Sequence, residues 1–212
     1  MAVSNVTGLI LAGGRGLRMG GADKGLIPYQ GQPLVASVLA RLAPQVGGLI
    51  ISANRNLATY RAFGHPVVTD ELAGFQGPLA GLASALAICP TPWLVSVPCD
   101  CPALPLDLVA RLYAAAQSAG AALAVAQAAG RLQPAFMLCR REKLPALSAF
   151  LARGERRASA WCLAEGALPV DFPDAAAFAN FNTPDDLGAS SDGTQLACPS
   201  AVKEDNSAGG AR

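Results

Sequence analysis

The amino-acid sequence predicts an α/β fold in which a mostly parallel sheet carries helices on both faces. Three observations predict it. Short, continuously apolar runs alternate with segments of helical period, several of those segments open on proline, and the apolar runs end on Gly, Asp or Pro. Val6–Leu11 is the first buried strand. Pro33 opens a helix in which Leu34, Val35, Val38, Leu39 and Leu42 recur at helical spacing before Pro44. Gly48–Ala53 is a second strand and Asn56–Phe63 a short helix. Val67-Val68 leads through Thr69 to Asp70, a strand ending on a carboxylate. Pro78 opens a helix through Leu79, Leu82, Ala83 and Leu86. Trp93–Val97 is a further strand, ending at Pro98-Cys99-Asp100. Pro105 starts a helix through Leu108, Leu112 and Ala115, and Ala121–Ala126 is the strand that follows.

Beyond Gly130 the pattern loosens. Gln133–Leu138 reads as a strand, Glu142–Leu151 and Arg157–Ala164 as helices, and Leu168–Asp171 as a short strand. Thr183-Pro184-Asp185-Asp186 combines an N-cap, a first-turn proline and acidic residues, so a helix starts there. From Gly188 onward only Leu196 and Val202 are sizeable aliphatics. That stretch buries too little to offset its ordering entropy and is expected to be a disordered tail. The division is therefore one domain over residues 1–187 and a tail over 188–212.

Composition narrows the function classes. Of 212 residues, 52% are hydrophobic and 15% charged, with a formal net charge of +1, which argues against a disordered chain and against a nucleic-acid-binding surface. No apolar run approaches the roughly 20 residues a spanning helix needs, so no membrane partner is expected. Met1–Asn5 lacks a basic leader and Val6–Ala12 runs into Gly13-Gly14, so a cytoplasmic protein is expected. Six cysteines (Cys89, Cys99, Cys101, Cys139, Cys162, Cys198) then read as reduced and structural, and Cys99-Asp100-Cys101 is no CxxC motif. His65, the one histidine, belongs to no motif and reads as a surface or turn residue.

The first strand ends in Leu11-Ala12-Gly13-Gly14-Arg15-Gly16-Leu17-Arg18-Met19-Gly20-Gly21, followed by Ala22-Asp23-Lys24-Gly25. Six glycines in thirteen residues let successive N–H groups converge on an anion, and Arg15, Arg18 and Lys24 add positive charge. Lysine is scarce, three against thirteen arginines, so its place here suggests selection of a compact point charge. Lys24 is followed by Gly25 rather than Ser or Thr, so this is not a Walker A loop, and the glycine spacing misses GxGxxG. A phosphate site at the carboxyl edge of the sheet is the reading that remains; the bland alternative is a solvated surface loop.

The same segment resembles the nucleotidyltransferases that attach a nucleoside monophosphate to a small phosphorylated acceptor. Within that superfamily it resembles the molybdenum cofactor guanylyltransferases. Gly31-Gln32-Pro33-Leu34, Ser52-Ala53-Asn54-Arg55, Gly77-Pro78-Leu79-Ala80-Gly81, Pro98-Cys99-Asp100, Gly154-Glu155-Arg156-Arg157 and Asn180-Phe181-Asn182-Thr183-Pro184 carry the likeness in order across about residues 6 to 187. The resemblance implies a single-domain, Rossmann-like nucleotidyltransferase fold. It implies GTP and molybdenum-molybdopterin as substrates, with recipient molybdoenzymes or their chaperones as candidate partners. Rival readings are a cytidylyl- or sugar-phosphate nucleotidyltransferase and a non-catalytic cofactor-delivery adaptor.

Candidate residues follow. Arg18, Lys24 and Asp100 are the catalytic candidates, and Leu11, Ala12, Gly13, Gly14, Lys24, Ser52, Asp70 and Asp100 the nucleotide-binding ones. Asp100 follows an apolar strand beside the phosphate loop, the place for a Mg²⁺ ligand, since magnesium takes one or two carboxylates plus phosphate oxygens and water. A turn or N-cap role before Pro102 is its plain alternative. Asp70 resembles the family's nucleotide-contacting Asp, against a turn role before Glu71. The resemblance places Arg156, Asn180 and Asn182 at the acceptor, whereas turn, cap and solvated-face roles are the plain ones. Two departures stand out: Ser52 where the family usually has Asn, with Asn54 on the same face of the strand, and Gln133-Pro134 where relatives often carry His-Pro. Leu11-Ala12-Gly13-Gly14 matches the guanylyl branch better than the Leu-Ala-Ala-Gly of cytidylyl relatives, so GTP is expected over CTP.

Overall fold

The computed structural model describes residues 2–12, 23–70 and 77–181. In chain order the elements are β1 (Val3–Leu11), a small hairpin of β2 (Pro28–Tyr29) and β3 (Gln32–Pro33), α1 (Leu34–Leu42), β4 (Val46–Ser52), α2 (Leu57–Arg61) and β5 (Val67–Val68). They continue with α3 (Pro78–Ile88), β6 (Trp93–Pro98), α4 (Leu108–Ala119), β7 (Leu123–Ala128), β8 (Arg131–Arg140), α5 (Leu144–Ala152), α6 (Ala158–Ala164) and β9 (Leu168–Phe172). Seven strands form one sheet in the order β5-β4-β1-β6-β8-β7-β9. β1 lies between β4 and β6 and runs parallel to both, and β4–β5 and β7–β9 are parallel too. The expected mostly parallel sheet is present.

Alternation along the central strands builds two cores. Val6 and Ile10 of β1, Leu49 and Ile51 of β4, and Val95 and Val97 of β6 face one side, where Val35, Val38 and Leu42 of α1 and Val109 and Leu112 of α4 cover them. Leu9, Ile50 and Leu94 face the other, under Leu79, Leu82 and Leu86 of α3, Leu147 and Phe150 of α5, and Trp161 of α6. Strands buried on both faces read as unbroken apolar runs, which is why they were visible in the sequence.

β8 is the departure from a parallel pattern, since it pairs antiparallel with both β6 and β7. It joins β7 through a two-residue turn in which Ala129 (φ 47°) and Gly130 (φ 72°) are both left-handed, the geometry that keeps a twisted hairpin in register. The two strands expected at Ala121–Ala126 and Gln133–Leu138 are thus arms of one hairpin, each longer or shifted. Pro134 cannot donate to a ladder, and the β7–β8 register jumps there from Val125↔Met137 to Ala126↔Gln133. A second X-Gly turn, Gln30 (φ 48°) and Gly31 (φ 81°), closes the β2–β3 hairpin, which the sequence reading did not anticipate. Smaller corrections follow the same logic. The helix after Asp100 begins at Leu108 rather than Pro105, whose carbonyl caps its first turn, and the expected helix at Glu142 opens as a 3-10 turn (Arg141–Lys143) before α5. The expected helix at Thr183 and the tail lie outside the described residues.

Candidate active site

Four strands deliver the site to one edge. Past their ends the ladder continues: Ala12 N–H donates to Ser52 O (2.7 Å), Cys99 N–H to Leu11 O (3.1 Å) and Ala53 N–H to Val68 O (3.0 Å). Leu11, Ala12, Ser52, Asp70 and Asp100 therefore collect at the carboxyl edge of the parallel strands, where open α/β sheets bind ligands. Gly13, Gly14 and Arg18, together with Arg15, lie outside the described residues.

The chain is described again from Asp23, and Lys24 opens a 3-10 turn (Lys24–Leu26). Its Nζ lies 3.2 Å from Asp100 Oδ2, joining residues 76 apart in sequence. Asp100 is almost enclosed, its side chain 9% exposed against 29% for Lys24. A carboxylate that deep needs a positive partner, and the lysine supplies it. Cys99 and Cys101 flank Asp100 and are buried; burial above all, then the neighbouring Asp100 charge, pushes both thiols far above the ordinary cysteine range. They are poor nucleophiles, in line with structural roles. The five described cysteines are unbridged and buried.

Asp23 is the residue whose importance the sequence did not disclose. Its carboxylate, 5% exposed, accepts hydrogen bonds from the Tyr60 hydroxyl (Oδ1, 2.6 Å) and Asn56 Nδ2 (Oδ2, 3.0 Å), and Arg55 Nε stands 3.7 Å from Oδ2. Gly25 also has a local reason: a Cβ there would collide with the Tyr60 hydroxyl and press on Cys99 Sγ. That contact explains why no serine or threonine follows Lys24.

Asp70 and Asn54 clasp each other. Asn54 Nδ2 donates to Asp70 Oδ2 (2.8 Å), and the Asp70 N–H donates to Asn54 Oδ1 (2.9 Å). Burial raises the Asp70 pKa above its ordinary value, and the Asn54 hydrogen bond opposes the rise. β4 stops at Ser52, so Asn54 sits in the bend beyond it rather than on a strand face. Ser52 itself is buried against α3, where any Cβ on Gly81 would strike its Oγ. A larger residue at 52 would have to displace that helix backbone, a physical reason for the small side chain here.

Asn180 is tied to the Asp100 turn, whereas Arg156 makes contacts at the end of α5 and the start of α3. Phe181 N–H donates to Asp100 O (2.9 Å), and Cys101 Sγ approaches Asn180 Oδ1 (2.9 Å), so the segment around Asn180 is tied to the Asp100 turn. The Phe181 ring meets Tyr29 edge-on at 5.1 Å, linking that segment to the β2–β3 hairpin. Arg156 donates to the carbonyls of Leu151 (2.6 Å) and Glu155 (2.7 Å), and its own carbonyl lies close to Gly77 at the start of α3. Asn182 lies outside the described residues. His65 sits in a bend, half-buried, in no cluster.

A mostly parallel sheet with a lysine and a carboxylate paired at its carboxyl edge defines an α/β domain of the kind that binds ligands at that edge. The chain belongs to the MobA-like NTP transferase family, whose model matches residues 8–167. It is 51% identical over 194 residues to the molybdenum cofactor guanylyltransferase of Cupriavidus taiwanensis, spanning 89% of this chain and 98% of that protein. It is 54% identical over 184 residues to the protein of the same name from Bordetella petrii, spanning 85% and 94%. Its fold is similar to that of the molybdopterin-guanine dinucleotide biosynthesis protein A of Archaeoglobus fulgidus, at a TM-score of 0.69 and 21% identity over 86% of this chain and 95% of that one. A Mycobacterium tuberculosis protein solved in complex with manganese is similar at a TM-score of 0.64 and 19% identity, over 88% and 97%.

Proposed function

We propose that the protein transfers GMP from GTP to the terminal phosphate of molybdenum-molybdopterin, releasing pyrophosphate and the guanine dinucleotide form of the cofactor. The observation that carries it is the Lys24–Asp100 pair, 3.2 Å apart at the carboxyl edge of a chain of this family. An oxygen of the acceptor phosphate attacks the α-phosphorus, and the bond from that phosphorus to the bridging oxygen of pyrophosphate breaks. The acceptor is already ionised, so no side-chain base or nucleophile is needed. Catalysis is alignment and neutralisation of charge.

Each residue has a part in this reading. Lys24 turns from Asp100 to the triphosphate, alongside Arg18 and the amides around Gly13 and Gly14. Asp70, steadied by Asn54, meets the base next to Leu11, Ala12 and Ser52. Arg156, Asn180 and Asn182 face the acceptor. Asp100 fits a Mg²⁺ ion as a hard oxygen donor, deeply set at the carboxyl edge; no group of three or more His, Cys, Asp or Glu gathers among the described residues, so phosphate oxygens and water would complete the shell. Bound there, Mg²⁺ supplies Lewis-acid neutralisation of phosphate charge. The reading locates the protein in the cytoplasm, where the thiols of the five described cysteines would stay reduced.

Pyrophosphate release with each of the four NTPs, with and without molybdenum-molybdopterin, tests this. Turnover is expected only with the acceptor and with GTP ahead of CTP, and Lys24→Ala should lower kcat/KM by about 10²-fold or more. Predominant cytidylyl transfer would overturn the choice of base. Binding of the cofactor with no turnover on any nucleotide would make the protein a delivery adaptor.

A further inference from the structure

We propose that Tyr60 is a positioning residue for Lys24, acting through Asp23 and Gly25 on either side of it. The proposal rests on the reading that Lys24 meets the triphosphate. Tyr60 is fully buried on α2, where a phenylalanine would serve for packing alone. A buried hydroxyl must find a partner, and this one donates to Asp23 Oδ1 at 2.6 Å. Asn56 and Arg55, from the turn that opens α2, converge on the other oxygen of the same carboxylate. Asn56 holds a left-handed conformation (φ 50°) while doing so, one that asparagine tolerates better than most residues. Three side chains from α2 and the turn that opens it thus fasten the residue before Lys24.

The same hydroxyl also underlies the residue after it, since a Cβ on Gly25 would run into Tyr60 Oη. Lys24 is therefore bracketed. Its flexible four-carbon stem is directed by where its Cα is held, and that position is set by Asp23 on one side and Gly25 on the other. Burial, then the Asp23 hydrogen bond, pushes the Tyr60 hydroxyl far above the ordinary tyrosine range. Tyr60 remains a proton donor to Asp23 across the working pH range.

A double-mutant cycle separates positioning from simple support of the fold. Tyr60→Phe keeps the ring and removes the hydroxyl; it is expected to lower kcat/KM for GTP about tenfold in the wild-type background. In the Lys24→Ala background the same change should cost less than about twofold, because nothing remains to be positioned. Asn56→Gly keeps the left-handed backbone and removes one donor to Asp23, giving a second cycle should Tyr60→Phe fail to fold; a drop of about threefold, again absent without Lys24, is expected. Equal losses in both backgrounds, or no loss in either, overturn the proposal while leaving Lys24 in its place. A Lys24→Ala enzyme with nearly wild-type kcat/KM sinks the triphosphate reading as well, and so is told apart from failure of Tyr60 alone.

Discussion

Asp100 acts through both its backbone and its side chain. Its backbone carbonyl holds Phe181 in place, and its carboxylate faces Lys24. Asp100→Asn leaves the backbone bond and the side-chain volume and removes only the charge. Turnover is expected to fall by about 10²–10⁴-fold with a shifted Mg²⁺ dependence. The melting temperature should change little, since the lysine partner is partly solvated and such pairs contribute modestly to stability. A Mg²⁺ titration of turnover alongside thermal melts checks this, and an unchanged Mg²⁺ dependence with a lowered melting point would reduce Asp100 to a turn residue. Lys24 and Asp100 were legible in the sequence because each carries a local signal, a glycine-rich flank or the end of an apolar strand. Asp23 was not, because its partners Asn56 and Tyr60 lie 33 and 37 residues away and nothing in a tyrosine's neighbours announces what its hydroxyl will meet. The Asn54–Asp70 clasp was hidden for the same reason.

At the scale of elements, the turn between β7 and β8 makes the point about legibility most clearly. The central parallel strands announce themselves through burial on both faces. The hairpin did not, because its turn is Ala129-Gly130 where Asn-Gly is the usual signal. Ala129 accepts a left-handed φ of 47° with no side-chain group to compensate it. Replacing it should therefore stabilise the protein. Ala129→Asn is expected to gain about 1 kcal/mol, seen as a rise in Tm of about 2–4 °C for a chain of this size, with turnover unchanged. Calorimetric melts of the two proteins decide it, and a fall in Tm would mean that the turn tolerates alanine for a reason beyond backbone geometry. The β2–β3 turn, with Gln30 and Gly31, was missed on the same account.

Across the whole molecule, the described residues already close on themselves. Phe178 packs edge-on against Phe136 (4.9 Å) and Phe172 (5.3 Å), and Phe181 returns to the Asp100 turn. The sequence beyond Gly188 offers Leu196 and Val202 and no periodic apolar face. A chain ending at Gly188 is expected to keep its turnover and to melt within about 2 °C of the full chain. Loss of activity, or of several degrees, would show that the last residues dock on the domain.

The Lys24–Asp100 pair joins the turn at Lys24 to the end of β6, the two side chains meeting at 3.2 Å. In the function proposed above a triphosphate would claim the lysine and a divalent cation the aspartate, so whichever arrived first would separate the two. The second would then find its own residue already released. Binding of nucleotide and cation should accordingly be cooperative, each tightening the other by an equal factor, as thermodynamic reciprocity demands. On that reading the metal–nucleotide complex should bind in preference to either orthophosphate alone or the bare cation.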